Sequence, residues 1–584
     1  MRRVTNGEIA EMLEQIVGLL ELAGEDTFRI RSYQRAVDTV AAYPEELANL
    51  HAQGKLTSVP GIGKSLAEKI GEYLDDGKVT YLDELRARFP EGVVEMLNIP
   101  GFGPRSADRV YQELGITSVD QLEAAAKEGR LRDLKGFGPK AEEKVLHNIA
   151  QYRLAGERAL LSEILPVADA MIAKLEATPQ VLRCAMAGSA RRHRETVGDL
   201  DLLATSEEPA KVSAAAKQFD EFVDIIGAGD TKVSGHLAGG RQVDVRVVPP
   251  DSYGAAMVYF TGSQQHNIAL RSRALKLGLT INEYGVFRLE NGEAGEKVAG
   301  TEEEDIYKAV GLPWIPPELR EAQGEIEAAE KGMLPDLIEL TDIHGDLQMH
   351  TRSSDGHQSV AQMADAAREL GYSFIGVTDH SPSLAVAHGM SVDEIKQQHD
   401  EIAEVNTALE SGKHGFSVLH GIEADILTDG SLDVPDEVYD LFDYVIGSLH
   451  QGFTSDVKRM TTRAVTAIKS GRMDFMAHPT GRILLQREAY GLDLDAVLEA
   501  AAANDVAMEI NAFPNRLDLS DVNCRHARDL GCLLTINTDS HDVAHLTNMQ
   551  YGVFSARRGW IEARNVINTW DVEQLRKWFG KRRR

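Results

Sequence analysis

Residues 188–201 read GSARRHRETVGDLD and end in two carboxylates whose spacing suits metal chemistry. Asp199 and Asp201 are followed by two leucines, a pattern that is typical of a buried β-strand. Side chains alternate along a strand, so both carboxylates would lie on the same face. Two carboxylates at such short range indicate a divalent-cation site for phosphoryl transfer.

The beginning of this segment carries residues that bind phosphate. Gly188 would let a phosphate approach the backbone because glycine has no side chain. Ser189, Arg191 and Arg192 supply a hydroxyl group and two guanidinium groups for the phosphate oxygens. A metal site and a phosphate site in one short segment distinguish it from a surface loop with a chance D-x-D pattern.

A third carboxylate lies on another predicted strand. Residues 241–248 read RQVDVRVV, and Asp244 would face the side opposite to its valine neighbours. If this strand lies beside the one with Asp199 and Asp201, three carboxylates can hold two divalent ions. One ion would activate a 3′-hydroxyl group, and the other would bind a triphosphate and its leaving group.

Further along the chain are groups suited to a nucleotide. Tyr259 and Phe260 precede a predicted turn at residues 261–263, which contains Gly262. Their rings could stack on a sugar or a base. Asn267 and Arg271 are four positions apart on a predicted helix, so their side chains share a face.

Length and composition limit the class of protein. A chain of 584 residues is too long for one hydrophobic core, so we expect several domains. No apolar run reaches the length of a membrane span, the N-terminus lacks a signal-peptide pattern, and three cysteines outside metal-site spacing favour a cytoplasmic setting. The formal charge of −29 argues against general attraction to nucleic acid, so DNA binding would depend on local patches, metals and salt.

An internal repeat lies within residues 1–157, which read as short helices. Each copy has two glycines one residue apart, apolar neighbours and a helical pattern after them. This is the helix-hairpin-helix pattern, in which a tight turn presents N–H groups to a DNA phosphate. Three copies favour sequence-independent DNA binding over ordinary turns. The glycine pairs are Gly61 and Gly63, Gly101 and Gly103, and Gly136 and Gly138.

From residue 342 onward, strand and helix patterns alternate, which predicts a parallel β/α barrel or an open α/β fold. Metal-ligand residue types follow the apolar runs, at the strand ends where such folds place functional residues. A single histidine there would more often be a core residue, but a repeated placement indicates a metal centre. The candidates are His350, Asp355, His380, Glu423, His450, His478, Asp539 and His541.

Residues 1–318 resemble a family X DNA polymerase, the family of DNA polymerase beta. The resemblance implies template-directed nucleotidyl transfer. It also implies roles for the residues above: metal binding for Asp199, Asp201 and Asp244, proton acceptance for Asp244, triphosphate binding for Ser189 and Arg192, sugar contacts for Tyr259 and Phe260, a base contact for Asn267 and a template contact for Arg271. The family often has arginine where this chain has Gln242, and this departure concerns primer handling.

The family also contains a 5′-deoxyribose-phosphate lyase in its first domain. Its nucleophilic lysine falls in the helix after the first hairpin, where this chain has Lys69. Tyr33 and Arg35 match the neighbouring basic and aromatic segment. An amine near DNA phosphate can form a Schiff base with the sugar aldehyde, but a lysine on a DNA-binding helix more often only contacts phosphate.

Residues 340–580 resemble a PHP (polymerase and histidinol phosphatase) domain, a distorted β/α barrel that holds up to three divalent ions and suits phosphoester hydrolysis. The resemblance assigns Gln348, His350, Glu423 and Asp539 to one ion, Glu423, His450 and His478 to a second, and Asp355, His380 and His541 to a third. The family usually has histidine where this chain has Gln348. An amide oxygen binds zinc or manganese less strongly than imidazole does.

These patterns predict a multidomain chain. We expect an α-helical helix-hairpin-helix region, an α+β nucleotidyltransferase palm with a small thumb, and a C-terminal distorted (β/α)7 PHP barrel. The expected domains are a lyase-like DNA-binding domain at 1–82, further hairpins at 83–157, the palm at 158–250, a nucleotide-binding subdomain at 251–318, a linker at 319–339 and the PHP domain at 340–584.

The leading hypothesis is a bacterial-type DNA repair polymerase that acts as a monomer and fills short gaps with dNTPs. It would use Mg²⁺ or Mn²⁺ at the polymerase site. Its PHP domain would remove 3′ nucleotides with Mn²⁺ or Zn²⁺. Gln348 leaves open a second hypothesis, in which the PHP domain is only structural. A third is a phosphatase of small esters, of the histidinol-phosphate type, joined to a DNA-binding segment.

Overall fold

The computed structural model describes residues 6–581, apart from 43–46, 60, 100–101, 135–136, 156–157, 239, 412–414, 455, 486 and 488. The chain divides into two compact units. The first unit comprises residues 1–157 and 205–302, and the second comprises residues 158–204 and 303–584. Within the described ranges, no helix is both long enough and apolar enough to cross a membrane.

The N-terminal part of the first unit consists of short helices around a shared apolar core, in which Ile16 and Ile70 are fully buried. Local signals set the helix ends. Ser118 caps α8 by accepting the N–H of Gln121, and Gly115 follows α7 in the left-handed conformation. The helices are α1 (Asn6–Leu22), α2 (Thr27–Ala42), α3 (Leu47–Ala52), α4 (Lys64–Asp76), α5 (Thr80–Arg86), α6 (Glu91–Glu95), α7 (Pro104–Leu114), α8 (Val119–Lys127) and α9 (Pro139–Ala155).

The three predicted hairpin turns repeat one backbone geometry. In each turn the N–H of the second apolar residue donates to the carbonyl of the first. These bonds join Ile62 to Val59, Phe102 to Ile99, and Phe137 to Leu134, each at 3.0 Å. Gly63, Gly103 and Gly138 immediately precede α4, α7 and α9. The predicted Gly101 and Gly136 lie outside the described residues.

Residues 158–204 of the second unit carry the D-x-D segment. Their elements are β1 (Ala159–Leu160), α10 (Leu161–Glu176), β2 (Arg183–Met186), the single-turn α11 (Gly188–Arg191), β3 (Thr196–Val197) and β4 (Leu200–Thr205). Strand β1 pairs with β3, and β2 lies beside β4. Asp201 lies within β4, whereas Asp199 immediately precedes the strand.

Residues 205–302 add two groups of antiparallel strands and three helices to the first unit. The elements are α12 (Pro209–Ala216), β5 (Asp224–Ala228), β6 (Lys232–His236), β7 (Gln242–Val248), α13 (Tyr253–Thr261), α14 (Gln264–Lys276), β8 (Leu279–Asn282), β9 (Gly285–Glu290) and β10 (Glu293–Ala299). Strand β6 pairs with β5 and β7, and β9 pairs with β8 and β10. The register places Ser234 opposite Asp244.

Seven parallel strands in chain order form the centre of the second unit. They are β11 (Gly345–Asp346), β12 (Phe374–Val377), β13 (Ser417–Asp425), β14 (Tyr444–Ser448), β15 (Phe475–Met476), β16 (Ala507–Asn511) and β17 (Leu534–Asn537). A parallel bridge joins Met349 to Ser540, and the N–H of His350 donates to the Ser540 carbonyl at 2.8 Å. The last strand therefore returns to the first, and the predicted (β/α)7 barrel is confirmed as a nearly closed barrel.

The remaining helices of the second unit are α15 (Glu303–Ala309), α16 (Glu325–Glu330), α17 (Val360–Glu369), α18 (Val392–Ser411), α19 (Asp436–Tyr439), α20 (Val457–Lys469), α21 (Leu494–Ala503), α22 (Asp521–Asp529), α23 (Met549–Arg558) and α24 (Val572–Phe579). The barrel strands are almost completely buried, as is typical of parallel strands covered on both faces. Phe374, Tyr444 and Phe475 are fully buried, and Leu575 and Phe579 of α24 pack into the same cluster.

The charged segment between residues 303 and 335 contains buried ion pairs. Glu303 accepts hydrogen bonds from both Nη atoms of Arg191, at 2.9 and 2.7 Å, and from Arg320 at 2.7 Å. Burial alone would raise the pKa of Glu303, but Arg320 and Arg191 outweigh it and lower the pKa to about 2. Glu303, Arg191 and Arg320 therefore form a buried ion-pair network within the second unit.

Candidate active sites

The predicted phosphate-binding residues form a tight turn against Asp201. Gly188 has φ of 62°, and a β-carbon there would lie 2.7 Å from Asp201 Oδ2. The N–H of Ala187 donates to the Asp201 carbonyl at 2.8 Å. The positive φ and the close approach of Asp201 both require glycine at position 188, because a β-carbon there would displace the carboxylate. Residues 188–195 are called the phosphate loop below.

Asp244 of the first unit is held among four polar side chains. It accepts hydrogen bonds from the Ser234 hydroxyl at 2.6 Å and from the Gln242 amide at 3.0 Å. Lys232 lies 2.7 Å and Arg246 3.1 Å from its Oδ2. Burial would raise the pKa of Asp244, but hydrogen bonds from Lys232 and Ser234 outweigh it and lower the pKa. The carboxylate therefore stays ionised, as a cation ligand must be, and Gln242 helps to orient it.

The residues predicted to bind the nucleotide lie around the junction between α13 and α14. Tyr259 and Phe260 pack edge to face at 5.0 Å, and Arg246 lies 4.5 Å from the Phe260 ring centroid. The Asn267 amide donates to the Tyr259 carbonyl at 2.7 Å. Gly262 permits this turn with φ of 67°. Arg271 lies one turn after Asn267 on α14, so the two residues share a face as predicted.

Lys69 lies in a small aromatic and basic cluster on α4. Its Nζ is 4.7 Å from the Tyr81 ring centroid and donates to Ser65 Oγ at 3.0 Å. Tyr81 stacks on Tyr33 with centroids 6.4 Å apart, and the Arg29 guanidinium lies 5.3 Å from the Tyr81 ring. Burial and then Arg29 lower the pKa of Lys69, which favours the neutral, nucleophilic amine.

The predicted metal ligands of the second unit converge at the carboxyl ends of the barrel strands. Within each of three groups, the candidate ligand atoms lie within 4.8 Å of one another. These groups are His350, Asp355, His380 and His541; His380, Glu423 and His450; and His350, Glu423 and Asp539. His478 Nε2 lies 3.1 Å from Glu423 Oε1, and Gln348 Nε2 lies 3.3 Å from Asp539 Oδ1. By distance, His350 and His380 each belong to two groups, whereas the resemblance assigns each of them to one ion.

Glu423 is the centre of this cluster. Its Oε2 lies 3.3 Å from His350 Nε2 and 3.4 Å from His380 Nδ1, and its Oε1 lies 3.2 Å from His450 Nε2. The Ser448 hydroxyl donates to Oε1 at 2.5 Å. Burial would raise the pKa of Glu423, but His450 and His380 outweigh it and hold the pKa well below its ordinary value.

The imidazoles of the cluster differ in the direction of their pKa shifts. Burial would lower the pKa of His350 and of His450, but Asp539 and Glu423 raise the first and Glu423 raises the second. The pKa values of His380 and His478 are instead lowered, toward the neutral form that metals bind. Burial and then the neighbouring His350 lower the pKa of His380 to about 4. Burial and then Arg516 lower the pKa of His478. Neutral nitrogen donors beside ionised carboxylates form the donor set of Zn²⁺ and Mn²⁺ sites. The residues present therefore fit bound divalent ions.

Gln348 also fits a ligand role. It is fully buried, and among the described residues its Oε1 has no hydrogen-bond donor. A buried polar oxygen without a partner is costly, and a bound cation would remove that cost. The amide nitrogen already donates to Asp539, so the oxygen is the atom left for a cation.

Arg516 was missed by the sequence analysis. Its Nε lies 3.9 Å from Asp539 Oδ2, and its side chain is 24% exposed beside the cluster. It follows β16 as the other candidates follow their strands, and that placement is the signal that could have identified it. A guanidinium at the mouth of a phosphoesterase site is suited to a substrate phosphate.

Models of four protein families match separate parts of the chain. The helix-hairpin-helix domain matches residues 4–79, and the SAM-like helix-hairpin-helix tandem matches residues 93–148. The DNA polymerase beta thumb matches residues 256–321, and the PHP domain matches residues 346–512. These matches confirm the predicted helix-hairpin-helix, polymerase and PHP regions.

Similar proteins match the whole chain or one part of it. A probable phosphatase of Aeromonas hydrophila is 29% identical over 220 residues, which are 35% of this chain and 81% of that protein. DNA polymerase lambda of Rattus norvegicus is 26% identical over 54% of this chain and 56% of its own length. DNA polymerase/3′-5′ exonuclease PolX of Bacillus subtilis is 37% identical over 97% of this chain and 98% of its own length. The chain therefore belongs to the PolX family, the family X DNA polymerases that carry a PHP domain.

Proposed function

We propose that this protein is a DNA polymerase that fills short gaps and a 3′-5′ exonuclease that trims 3′ ends. The observation that carries the polymerase half is the packing of Gly188 against Asp201, because it joins a phosphate-binding turn to a metal-ligand strand. The buried cluster around Glu423 supports the exonuclease half. Near full-length similarity to a named polymerase/3′-5′ exonuclease supports their presence in one chain.

For nucleotidyl transfer, we assign Asp199, Asp201 and Asp244 as ligands of Mg²⁺ or Mn²⁺. Ions bound there would lower the pKa of the primer 3′-hydroxyl and stabilise charge on the triphosphate. Gly188, Ser189 and Arg192 would bind the triphosphate, and Asp244 would accept the hydroxyl proton. Tyr259, Phe260 and Gly262 would contact the sugar, Asn267 the base and Arg271 the template.

The hairpin glycines support DNA binding. A β-carbon on Gly63, Gly103 or Gly138 would have no described protein atom within 4 Å. Packing within the protein therefore does not require glycine at these three positions. We infer that glycine recurs at these positions because it lets a DNA phosphate approach the N–H groups at the start of each helix. Gly61 differs, since its φ of 80° itself favours glycine.

For exonuclease action, we assign Gln348, His350, Asp355, His380, Glu423, His450, His478, Asp539 and His541 as ligands of up to three ions, Mn²⁺ or Zn²⁺. Bound ions would supply an ionised water and stabilise the phosphoryl charge. Arg516 would bind the scissile phosphate. The similarity to a probable phosphatase covers 35% of this chain, whereas the similarity to the polymerase/3′-5′ exonuclease covers 97%, so it supports phosphoester chemistry without displacing DNA as the substrate.

A 5′-deoxyribose-phosphate lyase activity is the second candidate function. The lowered pKa of Lys69 and its place between Ser65 and Tyr81 favour it. The neutral amine would condense with the sugar aldehyde, with loss of water, to form the Schiff base.

The proposed setting is the cytoplasm, and the proposed substrates are gapped DNA and dNTPs, used by a monomer. Cys184, Cys524 and Cys532 are all unpaired thiols, which agrees with a reducing compartment. The proposed domains are those predicted from the sequence, with boundaries at 1–82, 83–157, 158–250, 251–318, 319–339 and 340–584.

Separate inactivation of the two sites tests the main assignment. Asp201→Asn should lower primer extension on gapped DNA roughly thousandfold, because it removes a ligand of the ions that carry the charge. It should leave 3′-5′ exonuclease activity unchanged. His450→Ala should leave primer extension unchanged and should lower 3′-5′ exonuclease activity roughly a hundredfold or more. Extension that survives Asp201→Asn, or faster turnover of histidinol phosphate than of DNA, would contradict the assignment.

Exchange of Gln348 tests its ligand role. Gln348→His should tighten Mn²⁺ or Zn²⁺ binding about tenfold, because imidazole is the stronger ligand. Gln348→Ala should weaken binding. Metal titration with calorimetry measures both, and Gln550→His on α23 is the matched control. Equal affinities in all four proteins would show that this side chain binds no metal.

Arg516 is tested by exonuclease kinetics. Arg516→Met should lower kcat/KM on single-stranded 3′ ends about a hundredfold, because a charge-assisted phosphate contact is lost. Arg516→Lys should recover part of it, since lysine keeps the charge without the planar fork. Arg368→Met on α17 should match the unmodified protein. An Arg516→Met enzyme of normal kcat/KM would refute the phosphate contact.

Borohydride trapping tests the lyase proposal. The unmodified protein and Lys64→Arg should become covalently joined to DNA that carries a 5′-deoxyribose phosphate. Lys69→Arg should not, because arginine does not form the imine. An undiminished adduct with Lys69→Arg would show that another residue is the nucleophile and would refute the role of Lys69.

A further inference from the structure

Four successive residues of the phosphate loop contact the PHP domain or the segment that leads into it. Arg192 Nε donates to Glu321 Oε1 at 2.9 Å, and Arg194 Nη1 lies 3.8 Å from the same oxygen. The His193 ring stacks on Phe554 of α23 with centroids 3.7 Å apart and planes 9° apart. Glu195 pairs with Arg482, with one Nη1–Oε2 distance of 3.1 Å. The second half of the loop, residues 192–195, therefore has contacts on the PHP side.

Arg558 at the end of α23 joins these contacts. It donates to the Arg192 carbonyl at 2.9 Å, to Glu321 Oε1 at 3.0 Å and to Asp521 Oδ2 at 2.5 Å. Its side chain is 1% exposed. A buried guanidinium with several directional partners fixes the positions of those partners, because losing any one bond leaves a buried polar group unsatisfied. The backbone of Arg192 is thereby set by a residue 366 positions away.

The loop also contains strained backbone that these contacts support. His193 has φ of 51°, in the left-handed region that non-glycine residues rarely occupy. Such a conformation persists only where its surroundings over-determine it. Stacking on Phe554 and the proximity of Glu318 Oε1 to His193 Nδ1, at 3.5 Å, provide that support. Arg557 holds Glu318 in turn, at 2.7 Å.

We propose that Glu321, Phe554 and Arg558 are positioning residues for the polymerase reaction, holding the phosphate loop in the shape that binds the nucleotide triphosphate. This inference rests on the proposed triphosphate role of Ser189 and Arg192. The PHP domain then has a second task that is independent of its metal cluster. It shapes part of the polymerase active site through α23 and through the segment that leads into the barrel.

The test is single-nucleotide gap filling by the full-length protein. Arg558→Met should raise the KM for dNTP about tenfold, with a smaller change in kcat, because the loop is no longer held. Arg558→Lys should give an intermediate KM, and Phe554→Leu should raise it several-fold. Arg576→Met on the exposed face of α24 is the matched control. Exonuclease activity of the same preparations should stay within about twofold.

The outcomes separate positioning from general stability. Unchanged KM values in folded Arg558→Met and Phe554→Leu would overturn the proposal. A parallel loss of extension and exonuclease activity would also overturn it, since a merely structural role predicts that loss. If Arg558→Met does not fold, Arg558→Lys and Phe554→Leu decide by the same criteria.

The loop itself supplies the reference. Arg192→Met should raise the KM for dNTP at least as much as Arg558→Met does. If Arg192→Met leaves the KM unchanged, the triphosphate assignment fails. If Arg192→Met raises the KM and the Arg558 and Phe554 variants do not, only the positioning role fails.

Discussion

A carboxylate that is almost completely buried imposes the strictest constraint on the second unit. Glu423 is 1% exposed, and an isolated charge at such a site would be very costly. Imidazoles that follow β11, β12, β14 and β15 lie around it, and the Ser448 hydroxyl donates a hydrogen bond to it. A parallel barrel is suited to this arrangement because it brings the carboxyl ends of all its strands to one end. The order of the strands and the closure of the barrel together produce that convergence.

A second system of buried charges lies around the phosphate loop. Glu303, Glu318 and Glu321 are held by arginines, and the pKa values of Glu303 and Glu318 are lowered to about 2. For both residues burial alone acts in the opposite direction, but Arg320 and Arg191 outweigh it at Glu303, and His193 and Arg557 outweigh it at Glu318. These carboxylates keep phosphate-loop arginines at fixed positions. The net charge of −29 therefore says little about the field at any one site.

Short-range features were predictable from the sequence. The D-x-D strand, the glycine before Ser189 and the three hairpin turns depend on neighbouring residues and on the two-residue period of a strand. The metal ligands were predictable because each follows its own apolar run. The contacts of Arg192 with Arg558 were not, because no periodicity links positions so far apart. The sharing of His350 and His380 between groups depends on side-chain distances, which spacing does not determine. Arginine does not bind metal ions, so the spacing of metal-ligand residue types did not indicate Arg516.

One guanidinium connects the two candidate active sites of the second unit. Arg482 pairs with Glu195 of the phosphate loop and donates to the carbonyl groups of Arg516 and Leu517, beside the metal cluster. A substitution at Arg482 therefore changes the support of both loops together. With the proposed nucleotide role of the phosphate loop, sequence drift in the barrel would be restricted by the synthetic reaction as well as by hydrolysis. A lineage that lost its exonuclease metals would then still have to keep the barrel, because the contacts of the phosphate loop depend on it.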